Sequence, residues 1–240
     1  MCCERVLALR TVSRRNTAKT RKVGSETVNA CIGNGDCAGN GNMDFEISFD
    51  FIIFETERLL VREFNTDDGD AVYAYAGDAE NTIYMDWGPA SREEVRGFVQ
   101  SRLAQQITEP RRIFDFAVCI KATGKLIGSV GLFLSNDGQQ AELGYIVNKA
   151  FGGKGYASEA AKGMLQFGFM NLNLHRICAK CDSMNIASER VMQHLGMRFE
   201  GEAKSAEYVR VRARRQWRSV KHYAMLQKEF LNRMIDGEDA

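Results

Sequence analysis

The stretch Glu142–Ala160, which reads ELGYIVNKAFGGKGYASEA, decides the fold of this chain. Leu143, Tyr145 and Val147 alternate with their neighbours, and this period of two is typical of a strand. Glycines then break the strand and permit backbone angles that a side chain would forbid; they are Gly152, Gly153 and Gly155. From Tyr156 onward the apolar residues recur with helical spacing. The sequence therefore predicts a strand, a glycine-rich turn and a helix in direct succession.

Such a turn is typical of an anion-binding site. The first backbone N–H groups of a helix lack partners within the helix, and Lys154 adds a positive charge beside them. A nucleotide-triphosphatase loop would need Ser or Thr directly after the lysine, whereas Gly155 follows it. A dinucleotide site would need a third glycine at a longer offset. The residues favour a phosphate or pyrophosphate cradle of another kind, and a glycine turn that only packs a helix on a sheet is the alternative.

The motif G-K-G-Y-A-S-E-A behind E-L-G-Y-I-V closely resembles the pyrophosphate-binding segment of the GNAT superfamily of N-acetyltransferases. That family binds acetyl-coenzyme A through the pattern Q/R-x-x-G-x-G/A. Ala150 stands where Gln or Arg is usual, which removes one polar side chain but no backbone donor. The resemblance implies that one run of residues binds the cofactor: Gly152, Gly153, Lys154, Gly155, Tyr156 and Ala157.

Two further motifs support this resemblance. Residues 185–197 match the second GNAT signature, N-x-x-S-x-x-V/L-x-x-x-G-F, with Met197 in the aromatic position. Residues 55–62, ETERLLVR, are similar to the opening of the ribosomal-protein alanine N-acetyltransferase (RimJ/RimL-like) branch. A closing W-x-D-x-x-x-Y strand of that branch matches Trp217 and Tyr223, for which we expect core packing, but Ser219 replaces the aspartate. The resemblance covers roughly residues 55–230.

The implied fold is of the α/β (α+β) class. We expect a central mixed, mostly antiparallel sheet of about six or seven strands flanked by helices, with a splay between the two central parallel strands. Hydrophobic patterns predict a helix at Gly69–Ala76 and strands at Ile113–Ile120 and Arg176–Asp182. Ser91 and Glu94 predict a capping box before the next helix. Residues 198–207 and 217–226 predict a closing hairpin.

Glu142 begins the predicted central strand and has two equally supported readings. As a general base it would accept the proton that an ammonium must lose before it attacks a thioester, a role that an acidic residue often has here in the family. Otherwise it is an exposed strand carboxylate. By resemblance, the backbone groups of Ile146 and Val147 are freed by the splay, bind the pantetheine arm and polarise the thioester carbonyl.

Three more residues are candidates for the site by resemblance. Asn185 and Ser188 lie three apart on the first turn of a predicted helix. Asn185 would contact the pantetheine and also cap the helix, while Ser188 would stabilise or protonate the departing thiolate. Trp87 lies in an early loop that walls the acceptor-binding site in the family, and a surface-packing role is equally compatible with its position.

Composition excludes several other functions. The 32 basic and 31 acidic residues nearly balance, so no nucleic-acid partner is predicted, and no apolar run is long enough for a membrane. The seven cysteines have irregular spacing and no secretory signal precedes them, which indicates reduced thiols in the cytoplasm. Cys178 and Cys181 would point to opposite faces of a strand, so no metal site is predicted.

We divide the chain into an acetyltransferase domain at residues 46–232, an N-terminal extension at 1–45 and a frayed end at 233–240. The extension is basic and lacks apolar periodicity, as in a disordered tail, a processed leader or a misassigned start before Met43. The predicted function is acetyl transfer from acetyl-coenzyme A to a primary amine in a ternary complex, in a monomer or homodimer. The acceptor is a peptide N-terminal α-amine or a small molecule such as a polyamine, amino acid or antibiotic; a non-catalytic acyl-coenzyme A-binding scaffold is the alternative.

Overall fold

A computed structural model describes residues 52–211 and 214–237 of the chain. The predicted N-terminal extension and the last three residues lie outside this part. Eight strands of the described part form one mixed sheet in the order β1-β2-β3-β4-β5-β6-β8-β7. They are β1 Ile52–Glu55, β2 Leu59–Arg62, β3 Ile113–Ile120, β4 Leu126–Leu134, β5 Gln140–Val147, β6 Arg176–Asp182, β7 Arg198–Val211 and β8 Arg214–Leu226. The α-helices are α1 Gly69–Ala76, α2 Arg92–Gln106, α3 Tyr156–Gln166, α4 Ile186–His194 and α5 Gln227–Asp236.

Helices cover both faces of the sheet. Residues of α3, α4 and α5 pack with the sheet in one buried cluster, which includes Met164, Met192 and Phe230. Residues of α1 and α2 pack on the opposite face, where Tyr75 and Val99 are buried. Because both faces are covered, β4 is buried along most of its length rather than alternating. No helix within residues 52–211 and 214–237 combines the length and apolarity needed to span a membrane.

The predicted splay lies between β5 and β6. These strands pair in parallel only from Gln140↔Arg176 to Glu142↔Cys178. On its other side β5 stays paired with β4 as far as Gly128↔Val147. The edge of β5 after Glu142 therefore faces a gap instead of a neighbouring strand, which confirms the predicted splay.

Local predictions held where the signal was local. Helix α1 and strands β3 and β6 have the predicted bounds. In the capping box, Glu94 donates its backbone N–H to Ser91 Oγ (3.2 Å), and Ser91 donates its own to Glu94 Oε2 (2.7 Å). Helix α5 continues to Asp236, past the boundary placed at residue 232.

The closing hairpin differs from the prediction. Strands β7 and β8 extend further toward one another, to the pair Val211↔Arg214. Tyr223 is buried as expected, but the core position predicted for Trp217 is wrong because its side chain is 62% exposed. Trp217 packs against Tyr208 across the hairpin, with ring centroids 5.0 Å apart and ring planes tilted by 38°. Tyr208 is 52% exposed as well, so both aromatic residues of this pair lie at the surface.

Candidate active site

A cavity of about 2120 Å³ passes through the gap between β5 and β6. It brings together residues from the central strand, the glycine turn, α4 and the loop after α1. All of the predicted site residues except Lys154 line it: Trp87, Glu142, Ile146, Val147, Gly152, Gly153, Gly155, Tyr156, Ala157, Asn185 and Ser188.

We call the glycine turn, Gly152–Ala157, the cradle. Gly153 and Gly155 have φ of 72° and 80°, the left-handed region that favours glycine. A Cβ at Gly153 would meet no atom within 4 Å, so the backbone there faces open space. Gly155 is the N-cap of α3, and no side chain of the described residues caps that helix. Open space beside uncapped N–H groups fits a phosphate group.

A cluster of three side chains holds the cradle to the start of β2. Glu159, in the first turn of α3, accepts hydrogen bonds from Thr56 Oγ1 (2.5 Å) and Arg58 Nε (2.6 Å). Arg58 also donates through Nη1 to the Lys154 carbonyl (2.9 Å). Burial alone would raise the pKa of Glu159, but the hydrogen bonds from Thr56 and Arg58 outweigh it and hold that pKa below its ordinary value.

The backbone of β5 presents alternate residues to the gap. Asn148 donates its N–H to the Ile127 carbonyl on the β4 side (2.7 Å). Along a strand every second residue points its N–H and C=O toward the same neighbour, so Ile146 also faces β4, where Ser129 opposes it. The gap-facing groups therefore belong to Tyr145 and Val147, so of the two predicted residues only Val147 turns its backbone groups to the gap.

Gly128 on β4 allows β5 to lie where it does. A Cβ at this position would lie 2.1 Å from the Ile146 carbonyl oxygen and 2.9 Å from the Val147 Cα. Any larger residue would push the end of β5 away. Sequence reasoning missed this role because a lone glycine inside a strand signals a close approach without naming its partner.

Ser188 contacts the phenol of Tyr145 across the gap. The Tyr145 hydroxyl lies 2.9 Å from Ser188 Oγ and 3.0 Å from the Ser188 carbonyl oxygen. Burial raises the pKa of Tyr145, against the lowering effect of its hydrogen bond with Ser188, so the phenol stays protonated. Asn185 caps α4 as predicted, with its Oδ1 accepting the Ser188 N–H (3.1 Å). Tyr145 is a residue of the site that sequence reasoning assigned only to the strand.

Glu142 lies at the last parallel pair before the gap and is exposed. Its carboxylate makes no hydrogen bond or ion pair with the described residues. Lys180 lies on β6 two residues after Cys178, the partner of Glu142, and its Nζ donates to Glu207 Oε1 (2.6 Å). Burial works against the charge of Lys180, but Glu207, Glu142 and Asp86 raise its pKa. We call the part of the cavity lined by Asp86, Trp87, Glu142, Lys180 and Glu207 the acceptor end.

The loop that carries Trp87 is fixed by Arg218 of β8. The Trp87 side chain is 40% exposed at the cavity wall. Arg218 is buried, pairs through Nε with Asp182 (3.0 Å) and donates through Nη2 to the Ile83 carbonyl. One arginine thereby ties the loop after α1 to strands β6 and β8.

A family model described as an acetyltransferase (GNAT) domain matches residues 58–198. The chain belongs to the GNAT acetyltransferase family. The uncharacterized N-acetyltransferase YnaD of Bacillus subtilis (strain 168) is 35% identical over 175 residues, which are 73% of this chain and 97% of that protein. A GNAT-family acetyltransferase from Bacillus anthracis shares 33% identity at a TM-score of 0.64, covering 75% of this chain and 99% of that one.

The fold extends to more distant acetyltransferases. RimL, a ribosomal L7/L12 α-N-protein acetyltransferase solved in complex with coenzyme A, has a TM-score of 0.62 at 20% identity. It covers 73% of this chain and 97% of that one. Within this GNAT domain the cradle, the gap and the N-terminus of α4 meet in one cavity, as the two sequence motifs together implied. What the motifs did not reveal are the side chains that brace it: Arg58, Thr56, Glu159, Tyr145, Lys180 and Arg218.

Proposed function

We propose that this acetyltransferase uses acetyl-coenzyme A as donor and a protein N-terminal α-amine as acceptor. The observation that carries the proposal is the gap between β5 and β6, with the cradle at one end and Glu142 at the other. When bound, acetyl-coenzyme A supplies a thioester whose carbonyl carbon an amine attacks.

The cradle would hold the pyrophosphate through backbone N–H groups. The open space at Gly153 and the uncapped start of α3 suit an anion, and the helix dipole adds to the attraction. The gap-facing backbone of Val147 and Tyr145 would hold the pantetheine arm and polarise the thioester carbonyl. This role needs no particular side chain, but it needs Gly128 to let the end of β5 keep its place.

Glu142 is our candidate for the general base. Its carboxylate is exposed to the cavity and is not engaged by another described group, so it is available to accept a proton directly or through water. Asp86 and Glu207 add negative charge at the same end, and Lys180 offsets only part of it. This charge balance suits an acceptor that arrives as an ammonium ion.

Ser188 and Tyr145 would serve the departing sulfur. Tyr145 has one hydroxyl proton and two acceptors on Ser188, the carbonyl and Oγ. When Tyr145 donates to Oγ, the Ser188 proton is free to be donated to a thiolate. When Tyr145 donates to the carbonyl, Ser188 can donate to the phenol instead. The Ser188 proton is thus available to the thiolate only when Tyr145 donates to Ser188 Oγ, and Tyr145 can then replace the proton that Ser188 gives up.

The α-amine acceptor rests on the branch motif at residues 55–62 and on the likeness to RimL, whose acceptor is a protein N-terminus. A turnover screen tests it. We expect peptides with a free N-terminus to be acetylated faster than polyamines, amino acids or amine antibiotics. The control is the same peptide blocked at its N-terminus and bearing a lysine. Turnover restricted to small amines would contradict the acceptor, and tight coenzyme A binding without any turnover would favour the scaffold.

A further inference from the structure

The cradle lacks a polar side chain of its own at the position where its family carries one. Ala150 is exposed in the turn Lys149–Phe151 and has only a methyl group to offer a phosphate. The neighbouring Lys149 is already paired with Asp78 and Glu80, each at 2.8 Å. Any guanidinium or amide that supports the bound phosphates must therefore come from elsewhere in the chain.

Arg58 reaches the cradle from the start of β2. Its Nη1 donates to the Lys154 carbonyl (2.9 Å), and its guanidinium lies 4.7 Å from the centre of the Tyr156 ring. Its Nη2 lies 3.3 Å from the place that a Cβ at Gly155 would take. The guanidinium thus lies directly against the junction between the glycine turn and α3.

Glu159 fixes the direction of this guanidinium. It accepts from Arg58 Nε (2.6 Å) and from the Arg58 backbone N–H (2.8 Å), while Thr56 holds the same carboxylate. Nε and one N–H of Nη1 are consumed in these contacts and in the bond to Lys154. Nη2 makes no hydrogen bond with any described residue, and 44% of the Arg58 side chain is exposed. The two N–H donors of Nη2 therefore stay available beside the uncapped helix start.

The ion pair also solves a charge problem. A carboxylate in the first turn of a helix competes with an anionic ligand for the same positive end of the helix dipole. Glu159 is such a carboxylate, and Arg58 cancels its charge. Arg58 can thus support a phosphate in two separable ways, by neutralising Glu159 and by donating to the phosphate itself.

We propose that Arg58 is a phosphate-binding residue of the acetyl-coenzyme A site, which substitutes from β2 for the side chain missing at Ala150. Its Nη2 donates to a phosphate oxygen of the cofactor. The inference rests on the proposed function, because it requires coenzyme A as ligand. A planar guanidinium held by one carboxylate is well suited to this task, since its remaining donors point in fixed directions.

Isothermal titration calorimetry with coenzyme A distinguishes direct donation by Arg58 to the phosphate from neutralisation of Glu159 by Arg58. Four proteins are compared: wild type, Arg58→Gln, Glu159→Gln and the double variant. We expect Arg58→Gln to weaken binding about tenfold or more, the usual effect of losing a charge-assisted hydrogen bond. We expect the double variant to stay about tenfold weaker than Glu159→Gln. Equal affinity of the double variant and Glu159→Gln would overturn the proposal, because Arg58 would then act only by neutralising Glu159.

A control variant tests whether loss of any positive charge near the cradle would weaken binding. Lys121→Gln removes a cation at the same end of the sheet, where Lys121 pairs with Glu55 (2.8 Å) away from the cradle. The affinity of this variant for coenzyme A should stay within about twofold of wild type.

Dephospho-coenzyme A tells which phosphate Arg58 contacts. If Arg58→Gln binds this analogue more weakly than wild type does, the contact is to the pyrophosphate; if the two bind it equally, the contact is to the 3′-phosphate. If wild type itself fails to bind coenzyme A, the proposed function falls; if only the Arg58 deficit is absent, this inference alone falls.

Discussion

The two ends of the cavity are built in different ways. The cradle is one continuous segment, Gly152–Ala157, and we propose that it binds its ligand mainly through backbone groups. The acceptor end takes its side chains from four separate places along the chain: Asp86 with Trp87, then Glu142, Lys180 and Glu207. A site made of consecutive backbone groups is constrained by the glycines that permit its angles. A site made of distant side chains is constrained only by the way the chain folds.

This difference predicts that a substitution at one end changes either the kinetics with the amine or the affinity for coenzyme A, but not both. Acceptor-end variants should change turnover or the KM of the amine without changing coenzyme A affinity. Cradle variants should weaken coenzyme A binding without changing the KM of the amine. A variant that moved both together would show that the two ends are coupled.

The largest effect is expected at Glu142. Glu142→Gln keeps the size of the side chain and removes its ability to accept a proton, so kcat should fall on the order of a hundred-fold. Coenzyme A affinity measured by calorimetry should not change. If amine deprotonation limits the rate, raising the pH should partly restore turnover because more free amine is present. Turnover like that of wild type across the pH range would remove Glu142 from the mechanism.

The next effect is expected in the cradle. Gly153→Ala puts a methyl group where phosphate should approach, and coenzyme A affinity should fall about tenfold or more. Gly138→Ala is a matched control, because Gly138 also has positive φ (68°) and open space but lies in the turn between β4 and β5. Both variants should lose about 1 kcal/mol of stability. Equal coenzyme A affinity in the two variants would contradict the cradle assignment. Lys154→Ala should weaken binding less than Gly153→Ala.

A third variant tests whether Arg218 holds the loop that carries Trp87 in place. Arg218→Met leaves Asp182 buried without its partner and frees the Ile83 carbonyl, so the free energy of unfolding should fall by about 3 kcal/mol. The KM for the amine should rise several-fold while coenzyme A affinity stays constant. Arg92→Met is the control, since it breaks an exposed pair with Asp70 and should cost less than about 1 kcal/mol. An unchanged amine KM would show that the loop keeps its place without Arg218.

A smaller effect is expected at Tyr145. Tyr145→Phe keeps the packed ring and removes the hydroxyl that contacts Ser188, so kcat should fall a few-fold, by about 1 kcal/mol in activation free energy. Ser188→Ala should also lower kcat, and raising the pH should not rescue it. Because the two hydroxyls act as one pair, the double variant should lose less than the sum of both effects. Strict additivity of the single effects would show that the residues work independently.

The smallest effect concerns pH. The pKa of Glu159 is held below its ordinary value in the folded chain, so this ion pair adds stability above the unfolded pKa of about 4.5. That contribution is lost as the pH falls through the folded pKa. Denaturant unfolding of wild type and Glu159→Gln should therefore give a difference in stability that shrinks on acidification. A constant difference would mean that the carboxylate charge plays no part.

Much of the fold was open to sequence reasoning because its signals are local. The bounds of β3 and β6 follow from runs of residues that suit a strand, and the capping box at Ser91 needs only its own four residues. The glycine turn followed by a helix is equally local. The position of Trp217 was not predictable in this way, because its exposure depends on which residues from elsewhere in the chain pack against the hairpin.

The sequence by itself determined the family through its two motifs, and it determined the cradle because Gly153 and Gly155 readily adopt the positive φ that this turn requires. Only the tertiary structure decided which groups face the gap. The hydrogen-bond register between β4 and β5 turns the backbone groups of Val147 toward the gap and those of Ile146 toward β4. The alternation of side chains along β5 does not indicate this register. The tertiary structure also brought Arg58 to Glu159, 101 residues apart in the chain, because an ion pair between distant strands and helices forms only once the sheet has ordered them.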